Sequence, residues 1–128
     1  MPVRRPIGFD LVRQIGLTLP DVEANSVDDA LALKARGKLL ACQATHRSAE
    51  PDSLVVRMDI DRRAELIDAD PDVYYVTDHY LNYPTVLVRL SRIDRDALRD
   101  LLGMSWQFVT SPKKSTRSLP RTRRRQKR

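Results

Sequence analysis

Residues 74–84, YYVTDHYLNYP, hold all four tyrosines of the chain and one of its two histidines, with Asp78 directly before His79. An imidazole beside a carboxylate is a pairing that general acid–base chemistry uses, because the carboxylate can orient the ring and fix its tautomer. Adjacency works against that here. Neighbouring residues of an extended chain point to opposite sides, so Asp78 does not naturally face the His79 ring. The other histidine, His46, lies in a separate loop-like segment, THRSAEPD. No HExxH or CxxC spacing offers a metal site and no GxSxG elbow presents a nucleophile. The glycines Gly8, Gly16, Gly37 and Gly103 are too scattered to cradle a phosphate. The sequence therefore predicts a non-enzyme with no catalytic residue, no metal and no cofactor.

The same stretch can serve recognition. Tyr75, Tyr80 and Tyr83 can each bury a ring while the hydroxyl meets a backbone partner, and Thr77-Asp78 favours a turn. The plainer expectation is a loop that joins two strands and fixes their register. The sharper one is a small-ligand or protein-binding pocket edged by Tyr75, His79, Tyr80 and Tyr83.

A second set of candidates is cationic. The net charge of +6 is unevenly distributed, because residues 111–128 contain nine Lys and Arg and no acid. Removing those nine from the 23 leaves 14 basic against 17 acidic residues in positions 1–110, a net of −3. Leu119 is the only large aliphatic residue of that segment, which is predicted to be a disordered basic tail for want of apolar surface to bury. Such a tail is either a solubilising appendage or an electrostatic arm for nucleic acid. In the second case Lys113, Lys114, Arg117, Arg121, Arg123, Arg124, Arg125, Lys127 and Arg128 meet phosphates without reading bases. In the body, Lys34 and Arg36, with Lys38 across a turn, form a hairpin suited to lie on DNA as a wing. Arg57 and Arg89 would extend that surface if their strands are neighbours. The plainer reading of these cations is a solvated face paired with acids.

Composition bounds the rest. At 128 residues, 41% hydrophobic and 31% charged, the chain fits one soluble globular domain, predicted over residues 1–110. No apolar run approaches the roughly 18 residues of a membrane helix. The stretch MPVRRPIGFDLVRQIGL lacks the apolar core of a secretory signal. A lone cysteine, Cys42 within KLLACQA, reads as a small core residue of a cytoplasmic protein.

The elements that must position these residues follow from periodicity. Leu11, Val12, Ile15 and Leu19 trace one face of a first helix, stopped by Pro20. Leu31, Leu33 and Ala35 alternate with Ala32, Lys34 and Arg36 as a strand, Arg36-Gly37 turns with Gly37 at positive φ, and KLLACQA returns. In SLVVRMDI, Leu54, Val56 and Met58 share one side. A short helix follows with Asp61 as its N-cap, ending at Asp70-Pro71. VYYV and TVLVRL read as strands. A last helix starts at Asp94 and buries Leu98, Leu101, Leu102, Ser105 and Val109. Gly103 inside it costs about 1 kcal/mol against alanine, which predicts a close neighbour there. The order is helix, three strands, helix, two strands, helix. The fold class is α+β, a mainly antiparallel sheet packed by helices.

The segments VRQIGLTLPDVEA, LALKARGKLLA, LVVRMDIDRRAELI, YYVTDHYLNYPTVLVRL and LRDLLGMSWQFV together resemble the MmcQ/YjbR family of small bacterial proteins, over roughly residues 9–110. The resemblance implies a CyaY-like fold and a DNA-binding label, with no catalytic residues to carry over. The leading expectation is therefore weak, mainly electrostatic DNA binding, and the alternative is a small-ligand or protein-binding module using loop 74–84. The chain departs from the family pattern in EANSVDDALA, which lacks the glycine and aromatic that many members carry before the hairpin. The frataxin-like fold implies no iron here, since no acidic ridge marks the first helix.

Overall fold

The structure, a computed structural model, describes residues 8–27 and 30–111. The nine cations of the basic segment, from Lys113 to Arg128, lie outside the described residues.

The first helix, α1 (Phe9–Gly16), buries Val12 and Ile15 as its spacing demands. It ends before Leu19, earlier than predicted. The Thr18 hydroxyl takes the Ile15 carbonyl at 2.6 Å, and Pro20 disfavours helical backbone at the residue before it. Six strands follow in two groups: β1 (Val22–Val27), β2 (Ala30–Ala35), β3 (Lys38–Gln43) and β4 (Ser53–Arg57), then β5 (Tyr74–Tyr75) and β6 (Thr85–Arg89). Between the groups runs α2 (Ile60–Ala69), and α3 (Arg95–Thr110) closes the domain. The α+β class holds, with every strand pair antiparallel in the order β1-β2-β3-β4-β6-β5.

Strand β1 is an addition to the predicted order. VEANSV has little β preference, and Val22 and Ala24 pack against the core, so pairing with β2 along its whole length is what makes it a strand. The α2 cap is also revised. Asp59 accepts from the Asp61 and Arg62 amides at 3.1 and 3.3 Å, so the cap lies two residues before the expected one and the helix begins at Ile60. Asp94 caps α3 as expected, accepting from the Ala97 amide at 2.8 Å.

Register divides the sheet into two unlike faces. The row Ala24, Leu33, Ala41, Val56 and Val86 faces the helices, and with Leu98, Leu101 and Leu102 of α3 it makes the core. Leu66 and Ile67 of α2 pack against the same cluster. The opposite row runs Asn25, Ala32, Cys42, Val55, Leu87 and Tyr75 across all six strands.

A bulge in β3 connects the two faces. Leu33 pairs with Ala41 but Lys34 pairs with Leu39, leaving Leu40 as the extra residue. Leu40 and Ala41 are consequently both buried, and Leu39 turns onto the same face as Cys42. The Leu40 carbonyl, lost to the ladder, accepts from the buried Ser105 hydroxyl of α3 at 3.1 Å. That bond explains a serine on a helix face that is otherwise apolar.

The glycines reverse one expectation. A Cβ built on Gly103 meets nothing within 4 Å, whereas one on Gly16 would stand 2.6 Å from Leu33 Cδ1. The tightly packed glycine is therefore Gly16, where α1 crosses β2. At the hairpin turn both Arg36 (φ 53) and Gly37 (φ 81) are left-handed, the pairing that a two-residue hairpin turn requires.

Candidate functional site

The helix-free face of the sheet carries a cleft of about 470 Å³. Leu39, Cys42 and Val55 form its apolar floor. Residues 77–84 fold back as a wall that contributes His79, Tyr80 and Tyr83. Tyr83 stands 55% exposed, so its ring is not buried as the sequence suggested. A second hollow, of about 390 Å³, shares Leu39 and Cys42 and extends over Ala30 and Ala32. A third, of about 460 Å³, adjoins through Leu39, Arg57 and Pro84 and reaches Lys38 and Phe108. Among the described residues, no acid lines any of the three.

Three sets of contacts hold the wall in place. Arg63 of α2 is 6% exposed and donates to the carbonyls of Leu81, Tyr83 and Thr85 at 3.1, 3.0 and 3.1 Å. Ser48 and Thr77 share a hydroxyl hydrogen bond of 2.8 Å, tying the β3–β4 loop to the wall. The His46 and His79 rings stack with centroids 3.5 Å apart and planes within 6°, and Tyr80 meets both edge-on.

Burial shifts several titratable groups around the cleft. Burial pushes the Cys42 thiol up, away from the nucleophilic thiolate. Burial also raises Tyr80, which keeps its hydroxyl protonated and able to donate. Desolvation lowers His46, and the charges of His79 and Arg47 add to the effect. The Ser48 amide donates to His46 Nδ1 at 3.0 Å, which leaves no room for a proton on that nitrogen. Among the described residues, Asp78 makes no hydrogen bond or ion pair with His79, and no cluster of three His, Cys, Asp or Glu could hold a metal.

Two polar atoms at the end of the cleft lack partners: Arg57 Nε and Thr85 Oγ1 are both shielded from water and unbonded. These residues are direct cross-strand partners on β4 and β6. The Arg57 guanidinium lies 5.8 Å from the Phe108 ring centre and, among the described residues, joins no ion pair.

The sequence candidates divide. His79, Tyr80 and Tyr83 come together at the cleft, whereas Tyr75 stays outside its lining. The Tyr75 hydroxyl accepts from the Glu50 amide at 2.8 Å and bonds Ser53, with Arg89 over its ring at 4.2 Å. Lys34 is half-buried in β2 and Lys38 is exposed at the start of β3. Arg36 sits in the turn, paired with Asp21 at 3.0 Å and 5.8 Å from the Trp106 ring centre. Arg57 and Arg89 do lie on neighbouring strands, but at opposite ends of the pair, and Arg89 is bound to Glu50 at 2.7 Å. Arg63 and Thr85 were not singled out from sequence, and only the cross-strand register reveals why Thr85 matters.

A sequence model of the YjbR family matches residues 17–108. Uncharacterized proteins of Mycobacterium tuberculosis (Rv2570) and Mycobacterium bovis (Mb2600) are 42% identical over 48 residues, 38% of this chain and 36% of theirs. The match thus spans little more than a third of those relatives. The crystal structure of Deinococcus radiodurans protein DR2400, a DUF419 domain, superposes with a TM-score of 0.67 at 23% identity. That likeness covers 89% of this chain and 87% of DR2400, and it speaks to the fold.

Proposed function

The chain belongs to the YjbR family, and on that footing we propose that it is a non-enzymatic binding protein whose folded domain takes a small ligand in the cleft beneath residues 77–84. The observation that carries this reading is the cleft itself. An apolar floor lies under a wall of two tyrosines and a histidine, on the sheet face that no helix among the described residues covers. Sites for small molecules combine a concave, mostly apolar surface with a few placed polar groups, and this one has both. The non-enzymatic half of the reading rests on Cys42 being held as a thiol and on Asp78 leaving His79 unoriented. A cytoplasmic location is part of the proposal and fits a single cysteine. Among the described residues no helix is long and apolar enough to cross a membrane. Thermal stabilisation of the full chain by a metabolite panel tests the reading. Hits that weaken in Tyr80→Ala and Tyr83→Ala support it, and a panel without hits counts against it.

A second reading, weak electrostatic binding of DNA, is favoured by the nine cations and absent acids of residues 111–128. In this reading that segment supplies the attraction. The folded hairpin adds little, because Arg36 is engaged by Asp21 and the body carries a net of −3. Each phosphate contact steepens the salt dependence by about 0.9 log units. A salt-series titration should therefore lose most of its slope when the chain is cut after Thr110. An unchanged slope removes the segment from the reading. Changing Lys34, Arg36 and Lys38 to alanine then asks what the body adds.

A further inference from the structure

We propose that the ligand of this cleft is a small molecule with one oxyanion group, a carboxylate or phosphate, on a flat apolar body. The inference rests on the small-ligand reading above and names the chemistry that the site selects.

The argument starts from the cost of unpaired polar atoms. Thr85 is 5% exposed and lines the cleft, yet its hydroxyl bonds to nothing. A buried hydroxyl without a partner typically costs on the order of 1–3 kcal/mol, and a threonine in a strand is easily replaced by valine of nearly the same shape. Its cross-strand partner Arg57 repeats the pattern with a buried, unbonded Nε. Directly opposed residues have Cβ atoms about 5 Å apart, so a small side-chain shift that opens both atoms to the cleft lets one acceptor group meet both donors. Each donates: the hydroxyl rotates toward an acceptor, and the guanidinium has no acceptor capacity at all. The missing partner is therefore an acceptor.

Charge fixes its sign. Arg57 forms no ion pair among the described residues, and its guanidinium packs by the Phe108 ring. Lys38 shares the adjoining hollow with Arg57, and among the described residues no acid lines either space. On a body of net −3, two cations in acid-free surroundings favour an anion. Leu39, Cys42 and Val55 then offer an apolar floor to the remainder of the molecule, and the Tyr80 hydroxyl stays protonated at its edge. The bulge at Leu40 is what brings Leu39 into this floor, consistent with a ladder irregularity serving a site.

The test uses the full chain, isotope-labelled, titrated with benzoate, phenyl phosphate, neutral benzamide and inorganic phosphate, with amide shifts read at Val55, Tyr80 and Leu87. Benzoate or phenyl phosphate should move those signals, and benzamide should bind at least tenfold more weakly. Thr85→Val should weaken the anionic probe about tenfold while raising the melting temperature of the free protein, a combination that a purely structural threonine does not produce. Arg57→Gln should weaken it further. If benzamide binds as well as benzoate, the cleft reading stands and the anion assignment falls. If no probe moves the cleft signals, both fall. If inorganic phosphate matches the aromatic anions, the flat apolar body is overturned. Anion-induced shifts confined to residues 111–128 also overturn the proposal.

Discussion

The imidazole rings of His46 and His79 lie face to face, 3.5 Å between centroids, although they come from two different loops. This contact joins the β3–β4 loop to the wall of the cleft, and it requires His46 to be neutral. The Ser48 amide occupies Nδ1, and desolvation with the charges of His79 and Arg47 holds the pKa of His46 below the ordinary value of about 6.5. The unfolded chain therefore takes up this proton first as pH falls. Stability from the stack is complete above about pH 6.5 and is lost as pH drops through that value toward the lower folded one. Urea midpoints measured from pH 8 to pH 5 should decline for the wild type and decline less for His46→Gln. A wild-type midpoint that rises on acidification would show that the stack does not depend on a neutral His46.

Arg63 is the wall's anchor, and Arg63→Met should be costly. The substitution leaves the Leu81, Tyr83 and Thr85 carbonyls without their donor while keeping the apolar stem. Loss of charge-assisted bonds of this kind predicts about 3 kcal/mol of destabilisation. Hydrogen exchange should accelerate over residues 77–84 before the rest of the sheet. Arg63→Lys should recover only part of the loss, since a point-like ammonium cannot span three carbonyls as a planar fork does.

The two helical glycines should respond with opposite signs. Gly103→Ala enters open space in the middle of α3 and should stabilise by up to about 1 kcal/mol through helix propensity. Gly16→Ala pushes on the Leu33 side chain, which must shift within the buried core, so a net loss of about 1 kcal/mol is expected. Thermal melts of the two variants measure the difference directly.

Periodicity alone made most of the fold readable. The inward face of α3 was complete from its leucine spacing, and Leu54, Val56 and Met58 of the fourth strand's run alternated as buried residues do. β1 escaped because an edge strand of weak β preference takes its shape from its neighbour. The cleft was half legible. His79, Tyr80 and Tyr83 announced themselves by type, but Arg57 read as one cation among many and Thr85 as an ordinary strand residue. Their shared deficit appears only when β4 and β6 are placed side by side in register. Arg63 was hidden for a related reason: a basic residue in a polar helix looks solvated until the loop that it holds is folded against it.

Arg89 and Glu50 provide the last prediction. The guanidinium meets both carboxylate oxygens, at 2.9 and 2.7 Å, donates to the Pro71 and Asp72 carbonyls at 3.0 and 3.1 Å, and covers the Tyr75 ring. One planar group thus pins the β3–β4 loop, the turn before β5 and an aromatic at once. The hydrogen bond from Arg89 is the main cause that holds the Glu50 carboxyl below its ordinary range. Because the folded pKa is depressed, the pair contributes stability above the unfolded carboxyl value of about 4.3 and loses it as pH falls through the folded value. Arg89→Lys keeps the charge but cannot make the two parallel bonds or the flat stacking contact. It should lower the melting temperature at pH 7 by several degrees and flatten the decline below pH 4.5. An acid limb as steep as the wild type's would mean that Glu50 draws its stabilisation from another group.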